Sequence, residues 1–452
     1  MSLPAGTVAR SVPRSSRRPV PVRWWIFAYM FAFAMLSYMQ RNGVAVAAST
    51  IMPELHLTQW QIGMLDAAFT TAYALAQFPG GVIGQRLGAR LTYTLIGIIG
   101  LIATLATPLA PMALAGTALF VALLLAQAVL GISQGPVFPM FAAVVERWFP
   151  ANRWAVANGL QTAGMLLGGA VTPVLVVLLT ESFGWKGALL WIAPPVALVT
   201  MGWIWYGRNS PAEHPAVTPA ELAQLGEGVR ESAAPVTWRR LRAVVGDRNV
   251  LLLALSYLCM NYAFYLLSYW SFLYLVQVRH FAGIESGLAG MTPWIGAAIG
   301  AAAGGYLSDG LVMRFGARRG FRIVPLISLP LVAVLLLTTI HVASPYAAVL
   351  ALAAAFGAIE INEGAYWAAT MHIARTDSAA AAGVLNTGGN VGGIVCQPIV
   401  AALSGAGLWG GAFVSGSVFA LAAAGIWLFI DSDRRARVTY DLASARYPIQ
   451  PD

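Results

Sequence analysis

Charged residues are scarce in this chain, and their scarcity excludes an ordinary soluble domain. Only 10% of the 452 residues are Asp, Glu, Lys or Arg, whereas 58% are hydrophobic. Soluble domains carry roughly 25% charged residues. Lysine is almost missing, since Lys186 is the single example and nearly all of the 27 basic residues are arginines. We therefore expect a protein that is built for the lipid bilayer.

Cysteine and histidine are too few and too scattered for a redox or metal centre. Cys259 and Cys396 both fall within apolar segments, so we expect no disulfide, no metal site and no cofactor. The five histidines show no ligand spacing. The chain also lacks a nucleotide-binding Gly-x-x-x-x-Gly-Lys-Ser/Thr motif and a nucleophile with a neighbouring base. The sequence therefore disfavours an enzyme and a nucleotide-driven pump.

Long apolar segments fill the rest of the chain. A helix that crosses a bilayer needs about 20 mostly apolar residues and bonds its own backbone internally. We predict an all-α integral membrane protein with twelve transmembrane helices in two six-helix bundles. The predicted spans are 24–48, 59–83, 91–109, 116–145, 154–180, 186–207, 249–277, 286–312, 323–342, 346–374, 379–404 and 408–430.

The arginines predict the orientation of these spans. Cytoplasmic loops carry an excess of Lys and Arg. With both termini inside, every basic residue except Arg41, Lys186 and Arg279 lies on the cytoplasmic side. The net charge of +9 is thereby explained by topology, so we expect no nucleic-acid partner. We predict a multi-pass protein of the inner, cytoplasmic membrane.

Two similar runs, one in each half of the chain, indicate an internal repeat. Residues 80–90 carry Gly80-Gly81 followed by Arg86 and Arg90, and residues 304–319 carry Gly304-Gly305 followed by Asp309 and several arginines. The predicted organisation is a basic cytoplasmic N-terminus (1–23), a first bundle (24–207), a linker with a short amphipathic helix near 219–231 (208–248), a second bundle (249–431) and a cytoplasmic tail (432–452).

Arg41 lies deep within the first predicted span, and it is the main candidate for a binding residue. A permanent cation near the bilayer centre costs roughly 2.5–3.5 kcal/mol on insertion scales. Arginine also binds carboxylates and phosphates through two parallel hydrogen bonds. Two interpretations follow: Arg41 binds an anionic ligand, or it pairs with a buried acid that holds two helices together.

Several motifs resemble a known family. The two Gly-Gly-x-x-x-(Asp)-Arg-x-Gly-x-Arg loops resemble the major facilitator superfamily. Finer motifs resemble its anion:cation symporter branch, which includes hexuronate, galactonate and glucarate permeases and vesicular organic-anion carriers. These motifs are Tyr38-Met39-Gln40-Arg41, Pro79-Gly80-Gly81, Gly135-Pro136-Val137-Phe138-Pro139, Arg147-Trp148-Phe149-Pro150, Ser210-Pro211-Ala212-Glu213 and Asn386-Thr387-Gly388-Gly389-Asn390.

The resemblance implies a secondary carrier that moves a small organic anion by alternating access, with Arg41 binding the anion. We expect a proton as the coupling ion, the lipid bilayer as the surroundings and a monomer. Sugar acids, aromatic acids and small siderophore-like carboxylates would all suit such a site. The other predicted substrate-binding residues are Tyr38, Gln40, Tyr73, Gln127, Gln134, Gln161, Tyr366, Trp367, Asn386 and Asn390.

Glutamines replace the acids that usually couple such carriers to protons. Gln40 and Gln134 stand where the branch usually has an aspartate and a glutamate, and glutamine cannot titrate. Asp66, Glu360 and Glu363 are acids that remain within predicted spans, and intramembrane acids are candidates for proton carriers. Glu360, Glu363 and Trp367 are spaced to share one helix face. The alternative is that these acids form fixed ion pairs with Arg41 or another arginine.

The repeated loops predict gating residues at the cytoplasmic end. We expect Asp309, Arg314 and Arg318 to form a latch in the second half, and Arg86, Arg90 and Arg153 to serve the first half. These arginines could instead only set the topology. Other functions considered are an uncoupled facilitator or anion exchanger, a drug/proton antiporter and a sensor that binds without transport. Span five lacks the usual Gly-Pro antiporter signature, and the intact second gating loop disfavours the sensor.

Overall fold

The computed structural model describes residues 21–149, 154–224, 242, 246–374 and 378–433, and in this part of the chain the regular structure is helical. The helices of the first half are α1 (Val22–Leu55), α2 (Gln59–Leu87), α3 (Ala89–Leu109), α4 (Gly116–Gln134), α5 (Val137–Trp148), α6 (Trp154–Leu190) and α7 (Ala193–Tyr206). A short α8 (Pro219–Gln224) follows. The second half contains α9 (Arg248–Gln277), α10 (Gly283–His341), α11 (Pro345–Glu360), α12 (Glu363–Ala374), α13 (Ser378–Gly405) and α14 (Trp409–Trp427). Two of the helices, α6 and α10, each consist of two helices joined at a non-helical glycine, Gly184 and Gly316 respectively.

Eight helical stretches of the described chain are long and apolar enough to cross a membrane. The prediction of an all-helical membrane protein is therefore confirmed, while the count of twelve crossings stays a prediction. Helices α2 and α13 are not among the eight stretches. They face each other across the two halves, where neighbouring helices shield them from lipid, so they tolerate polar residues such as Gln77 and Asn390.

The helices pack as two groups that meet along a central interface. In the first half α1 packs against α6, and α2 against α4. In the second half α9 packs against α13 and α14, and α10 against α11. The two groups contact each other through α2 with α13, α6 with α10, and α1 with α9. The largest apolar cluster crosses this interface, because Tyr38 and Leu166 of the first half pack among side chains of the second.

The two repeated loops share one unusual backbone conformation. Gly88 has φ 82° and ψ 159°, and Gly316 has φ 78° and ψ 167°. This region of backbone space is open essentially only to glycine, because a Cβ atom would clash with the backbone. The equivalent conformation at equivalent places supports the predicted internal repeat.

The repeated loops are also anchored in the same way. The Arg90 guanidinium donates to the carbonyl of Ile204 (2.8 Å) near the end of α7, the last helix of the first half. Arg322 donates through Nε to the carbonyl of Ile430 (2.7 Å), just after α14, and Arg318 lies 3.7 Å from the Asp431 carboxylate. Each loop is thus attached to the last helix of its own half.

The chain after α7 folds back onto the first half. Glu221 of α8 accepts hydrogen bonds from the backbone N–H groups of Val22 (3.2 Å) and Arg23 (3.1 Å), where α1 begins. His214 packs edge-on against Tyr206 with ring centroids 4.6 Å apart, and burial lowers the pKa of His214. The predicted linker therefore begins as part of the first half. The structure has a short helix over Pro219–Gln224, and residues 225–231 of the predicted amphipathic helix lie outside the described chain.

Among the described residues, the two halves are in close contact at one end of the helices. We call the end with the loops around Gly88 and Gly316 the arginine-rich end, and the opposite one the arginine-poor end. At the arginine-poor end Gln59 donates to Gln277 across the halves, and Gly63 packs tightly against Ala401. Gly383 shares a face of α13 with Asn390, about two turns away, yet the space beside Gly383 is open. Helices α2 and α13 therefore diverge toward the arginine-rich end.

Candidate functional site at the interface of the two halves

Arg41 lies at the interface, near the middle of α1, with only 6% of its surface exposed. Its Nε donates to the Tyr269 hydroxyl of α9 at 3.2 Å. Among the described residues no carboxylate oxygen comes within 4.0 Å of its guanidinium nitrogens. In the same part of the chain the bond to Tyr269 is its one hydrogen bond within 3.5 Å, and the Tyr265 hydroxyl is a further neighbour of the guanidinium. The interpretation that Arg41 is tied to a buried acid is therefore not what this structure shows. Its two terminal nitrogens remain as donors for a ligand.

Aromatic rings surround the Arg41 guanidinium in place of an acid. The guanidinium carbon lies 4.7 Å from the centroid of the Tyr38 ring, 4.9 Å from that of Phe69 and 5.4 Å from that of Tyr73. The negative face of an aromatic ring attracts a cation at such distances. These three rings come from the first half. The aromatic side chains attract the cation without neutralising its charge.

The second half contributes two tyrosines to this site that the sequence analysis missed. Tyr269 accepts the Arg41 hydrogen bond, and Tyr265 stacks on Tyr269 with ring centroids 5.9 Å apart and planes at 13°. They follow Tyr257 and Asn261 at intervals of four residues on α9. That spacing could have indicated a shared helix face. It lies in a segment with many aromatic residues, however, where the same spacing is equally consistent with ordinary helix packing.

A chain of amide and phenol groups crosses the interface beside Arg41. The Tyr265 hydroxyl donates to Asn390 Oδ1 (3.1 Å), Asn390 Nδ2 donates to Gln77 Oε1 (3.0 Å), and Gln77 Nε2 donates to the Tyr73 hydroxyl (3.4 Å). The structure thus brings Asn390 and Tyr73, both predicted, into one network. Asn386 lies one turn from Asn390 on α13 and is half-buried.

The two glutamines that replace acids bind each other within the first half. Gln134 donates to Gln40 Oε1 at 3.0 Å, and Gln40 Nε2 donates to Thr104 Oγ1 at 2.7 Å and to the Gly100 carbonyl. These bonds direct Gln40 toward α3. Gln127, two turns before Gln134, is buried on the same helix. At the two positions where the branch usually has acids, this chain thus has two neutral amides that are hydrogen-bonded to each other.

Besides Trp367, which binds Glu363 as described below, two predicted binding residues lie away from Arg41. Gly164 packs on Phe31 and Gly168 on Met35, so α1 and α6 run parallel, and Gln161 lies about 20 Å along α1 from Arg41. The Gln161 Nε2 is buried and has no partner among the described residues. Tyr366 is fully buried in the second half, where its hydroxyl lies 2.6 Å from Ser256 Oγ. The structure brings neither residue to Arg41.

Glu360 and Glu363 flank a break in the helix of the tenth predicted span. Helix α11 ends at Glu360 and α12 begins at Glu363, so two residues interrupt the helix between the acids, and a face shared by Glu360, Glu363 and Trp367 stays a prediction. Asn362 causes the interruption, because its amide donates to the carbonyls of Ala358 and Ile359. The relation of Glu363 to Trp367 holds, with Trp367 Nε1 donating to the Glu363 carboxylate at 2.7 Å.

The Glu363 carboxylate is bound by neutral donors. Besides Trp367, the Tyr257 hydroxyl contacts its two oxygens at 2.9 and 3.1 Å. Asp66 is also buried, with 3% of its surface exposed, and Arg41 attracts it electrostatically from beyond ion-pair distance. No described side chain donates a hydrogen bond to the carboxylate of Asp66 or of Glu360. Among these three acids, Glu363 is the one whose surroundings are organised by hydrogen bonds.

The predicted gating residues are only partly described. Arg153 lies outside the described residues, as does the side chain of Asp309. Arg86 is exposed, and Arg314 stacks over the Phe315 ring at 5.4 Å. Arg90 and Arg318 bind within their own halves, as described above. The latch therefore stays a prediction.

A buried, acid-free arginine between two repeated helical halves defines the class as a membrane transporter. The sequence profile described as "Major Facilitator Superfamily" matches residues 30–394, and the chain belongs to this family. It is 28% identical to a probable sulfoacetate transporter of Cupriavidus necator, over 85% of this chain and 87% of that protein. It is 26% identical to a hexuronate transporter of Bacillus subtilis, with 86% and 90% covered. The predicted resemblance to the anion:cation symporter branch is confirmed.

The fold has solved relatives as well. A bacterial homologue of the human lysosomal transporter Spinster, in an inward-facing conformation, superposes with a TM-score of 0.72. The match covers 93% of this chain and all of that one, at 18% sequence identity. This likeness supports the fold alone.

Proposed function

We propose that this chain is a secondary carrier that moves a small organic anion across the inner membrane by alternating access. The observation that carries the proposal is Arg41, a buried cation whose terminal nitrogens form no hydrogen bond within 3.5 Å among the described residues. A carboxylate or sulfonate on the substrate would supply the missing negative charge and accept two parallel hydrogen bonds. The relatives named for sulfoacetate and hexuronate transport favour this chemistry.

The membrane arrangement follows from the distribution of arginines. We place twelve crossings in the bilayer, with bundles over 24–207 and 249–431 and with both termini and the segment 208–248 in the cytoplasm. The arginine-rich end is then cytoplasmic, and the divergence of α2 and α13 opens the site toward the cytoplasm. One chain contains both halves of the site, so a monomer suffices.

The geometry links substrate binding to the movement of the halves. Arg41 belongs to the first half, whereas Tyr269, Tyr265 and Asn390 belong to the second. An anion held by Arg41 therefore contacts both groups of helices near the midplane. If the arginine-rich end closes around the anion and the arginine-poor end then opens, the anion is carried across the membrane. The family resemblance implies that the loops at Arg90 and Arg318 act as gates in this cycle.

Proton coupling is the mode that we propose, and an uncoupled facilitator or an anion exchanger is the second candidate. The second candidate is favoured by one observation, the neutral Gln40–Gln134 pair, because amides cannot carry protons. Coupling therefore requires a carboxylate elsewhere, and Asp66, Glu360 and Glu363 are the buried acids available.

Uptake into proteoliposomes tests the anion site. We would measure uptake of radiolabelled sulfoacetate, D-glucuronate and D-glucarate by the wild type, Arg41→Gln and Arg41→Lys. We expect Arg41→Gln to lose at least about 100-fold in uptake, because a truncated buried charge pair costs several kcal/mol. Arg41→Lys should stay strongly impaired, since an ammonium cannot bind in the forked geometry.

Arg147→Gln is the matched control, because Arg147 is exposed at the end of α5. It should transport normally. Wild-type-like uptake by Arg41→Gln, at an equal amount of folded protein, would refute the proposed site.

A further inference from the structure

One face of α9 carries a continuous polar stripe made of Tyr257, Asn261, Tyr265 and Tyr269. Residues four apart on a helix lie one above the other, and all four side chains are buried. Asn261 Nδ2 donates to the Tyr257 carbonyl at 2.9 Å, and Tyr265 donates to Asn390. We call this set the α9 stripe.

The two ends of the α9 stripe reach two charged groups. At one end the Tyr269 hydroxyl accepts the hydrogen bond from Arg41. At the other end the Tyr257 hydroxyl donates to the Glu363 carboxylate. Twelve residues of helix separate these ends, about 18 Å along the axis. Arg41 and Glu363 therefore bind different ends of the α9 stripe, and these two described side chains are not bonded to each other.

Glu363 is therefore free for a second ligand, and its surroundings suit a proton. Its described donors are the neutral Tyr257 hydroxyl and Trp367 Nε1, and no described basic side chain forms an ion pair with it. The titratable groups facing it are Glu360 from α11 and Tyr257 from α9. From α10, the backbone at Gly304 and Gly305 approaches α12 beside Glu363. A proton can thus bind or leave without an ion pair being made or broken.

We propose that Glu363 is the proton-binding residue of this carrier and that the α9 stripe connects it to the Arg41 site. The inference rests on the proposed function. A proton from one side adds to a Glu363 carboxylate oxygen and takes its charge from −1 to 0. The same proton leaves to the other side after the halves have moved, and the carboxylate is restored. Tyr257 is a positioning residue, because it orients the carboxylate and must redirect its own hydroxyl when that carboxylate gains a proton.

The test compares accumulation with exchange, using whichever of sulfoacetate, D-glucuronate or D-glucarate the wild type transports. In wild-type proteoliposomes an inward proton gradient of one pH unit should drive about tenfold accumulation of a monovalent anion at 1:1 coupling. In Glu363→Gln we expect no accumulation, so that the concentrations of anion inside and outside the vesicles reach a ratio of about one. With the same pH inside and outside, the rate at which this variant exchanges labelled for unlabelled anion should stay within about twofold of the wild-type rate.

Two results would overturn the inference: gradient-driven accumulation by Glu363→Gln, or loss of exchange by this variant while it still binds the anion. The failure of the proposed function looks different. If the wild type neither accumulates nor exchanges any of the three anions, the proposed function is wrong. If the wild type exchanges them but ignores the proton gradient, only the proton inference is wrong.

The pH profile tests the α9 stripe separately. Tyr257→Phe keeps the ring and removes a hydroxyl that stabilises the charged carboxylate. A hydrogen bond to a charged group contributes about 1.5 kcal/mol, which corresponds to about one pH unit. We therefore expect the pH of half-maximal accumulation to rise by about one unit in this variant. Tyr262→Phe is the matched control on the same helix, because its hydroxyl binds Ser415 at 2.8 Å, away from the stripe. An unmoved profile in Tyr257→Phe would contradict the role of Tyr257.

Discussion

At the scale of single residues, the burial of Arg41 without an acid has an energetic explanation. A cation in the bilayer costs several kcal/mol, and a fixed acid would offset this but would also occupy the donors that a substrate needs. The rings of Tyr38, Phe69 and Tyr73 each contribute about 0.5–2 kcal/mol of cation–π attraction. The empty site is thereby stabilised by groups that an incoming carboxylate need not displace.

The Tyr269 hydroxyl should set the position of Arg41. In Tyr269→Phe we expect the apparent KM for the transported anion to rise about tenfold, because a hydrogen bond to a charged group contributes about 1.5 kcal/mol. Stacking on Tyr265 should survive, so the amount of folded protein should not change. Tyr262→Phe again serves as the control. A KM equal to that of the wild type would show that the Arg41–Tyr269 bond does not orient the site.

Residue identity alone revealed Arg41 but not the tyrosines opposite it. An arginine within an apolar span is rare, so it can be identified as a functional candidate from the sequence. Tyr265 and Tyr269 belong to a segment with many aromatic residues, and most buried tyrosines only pack. Their role depends on which face of α9 turns toward α1, and that is decided by contacts between distant parts of the chain.

At the scale of helices, the contact of α2 with α13 closes the arginine-poor end. A Cβ atom added at Gly63 would lie 2.4 Å from Ala401 Cβ and 3.1 Å from the Gln397 carbonyl. Real Cβ atoms do not approach so closely, so a side chain at Gly63 must push the helices apart. This glycine allows the closure.

Gly63→Leu should therefore favour the conformation that is open at the arginine-poor end. We would introduce the Gln59→Cys/Gln277→Cys pair, whose parent side chains are hydrogen-bonded, and measure the rate of cross-linking by a short bifunctional maleimide. We expect cross-linking to slow at least about fivefold in Gly63→Leu, because the reagent cannot bridge the two thiols once the helices have moved apart. Gly425→Leu is the control, since Gly425 faces open space. An unchanged rate would contradict closure through α2 and α13.

Sequence periodicity located the helices and the breaks near Gly184 and Gly316, but it missed the interruption in the tenth span. The predicted spans fall on helical segments because a run of about 20 apolar residues can satisfy its backbone hydrogen bonds in lipid by forming a helix. The interruption at residues 361–362 was missed, since Asn362 competes with the backbone only once its neighbours have positioned it. The bend between α4 and α5 is easier to predict, because Gly135 and Pro136 lie there.

At the scale of the whole molecule, the segment after α7 stabilises the first half. The Glu221 carboxylate binds two backbone N–H groups where α1 begins, and such groups have no partner within the helix. Glu221 is buried at 7% exposure although it is charged, so its removal would leave these donors unsatisfied. The sequence suggested a helix here, but not its attachment to α1.

We expect Glu221→Ala to lower the thermal stability of the detergent-solubilised carrier. Loss of a helix cap costs about 1–2 kcal/mol, which lowers Tm by about 1–2 °C in a chain of this length. The free, buried thiols of Cys259 and Cys396 allow a thiol-reactive dye to report unfolding. Glu213→Ala is the control, because Glu213 is exposed and binds only Ser210 among the described residues. A Tm identical to that of the wild type would exclude this stabilising role.

The closed arginine-poor end has a consequence for the energetics of the whole cycle. Across the described chain, the salt bridges connect residues of the same half, and the bond between the halves at this end joins two neutral amides, Gln59 and Gln277. Contacts without charge are little affected by ionic strength or pH. The contribution of this closed end to the balance between the two open conformations should therefore stay constant while salt and acidity vary, so that any dependence on either must come from charged groups elsewhere in the carrier.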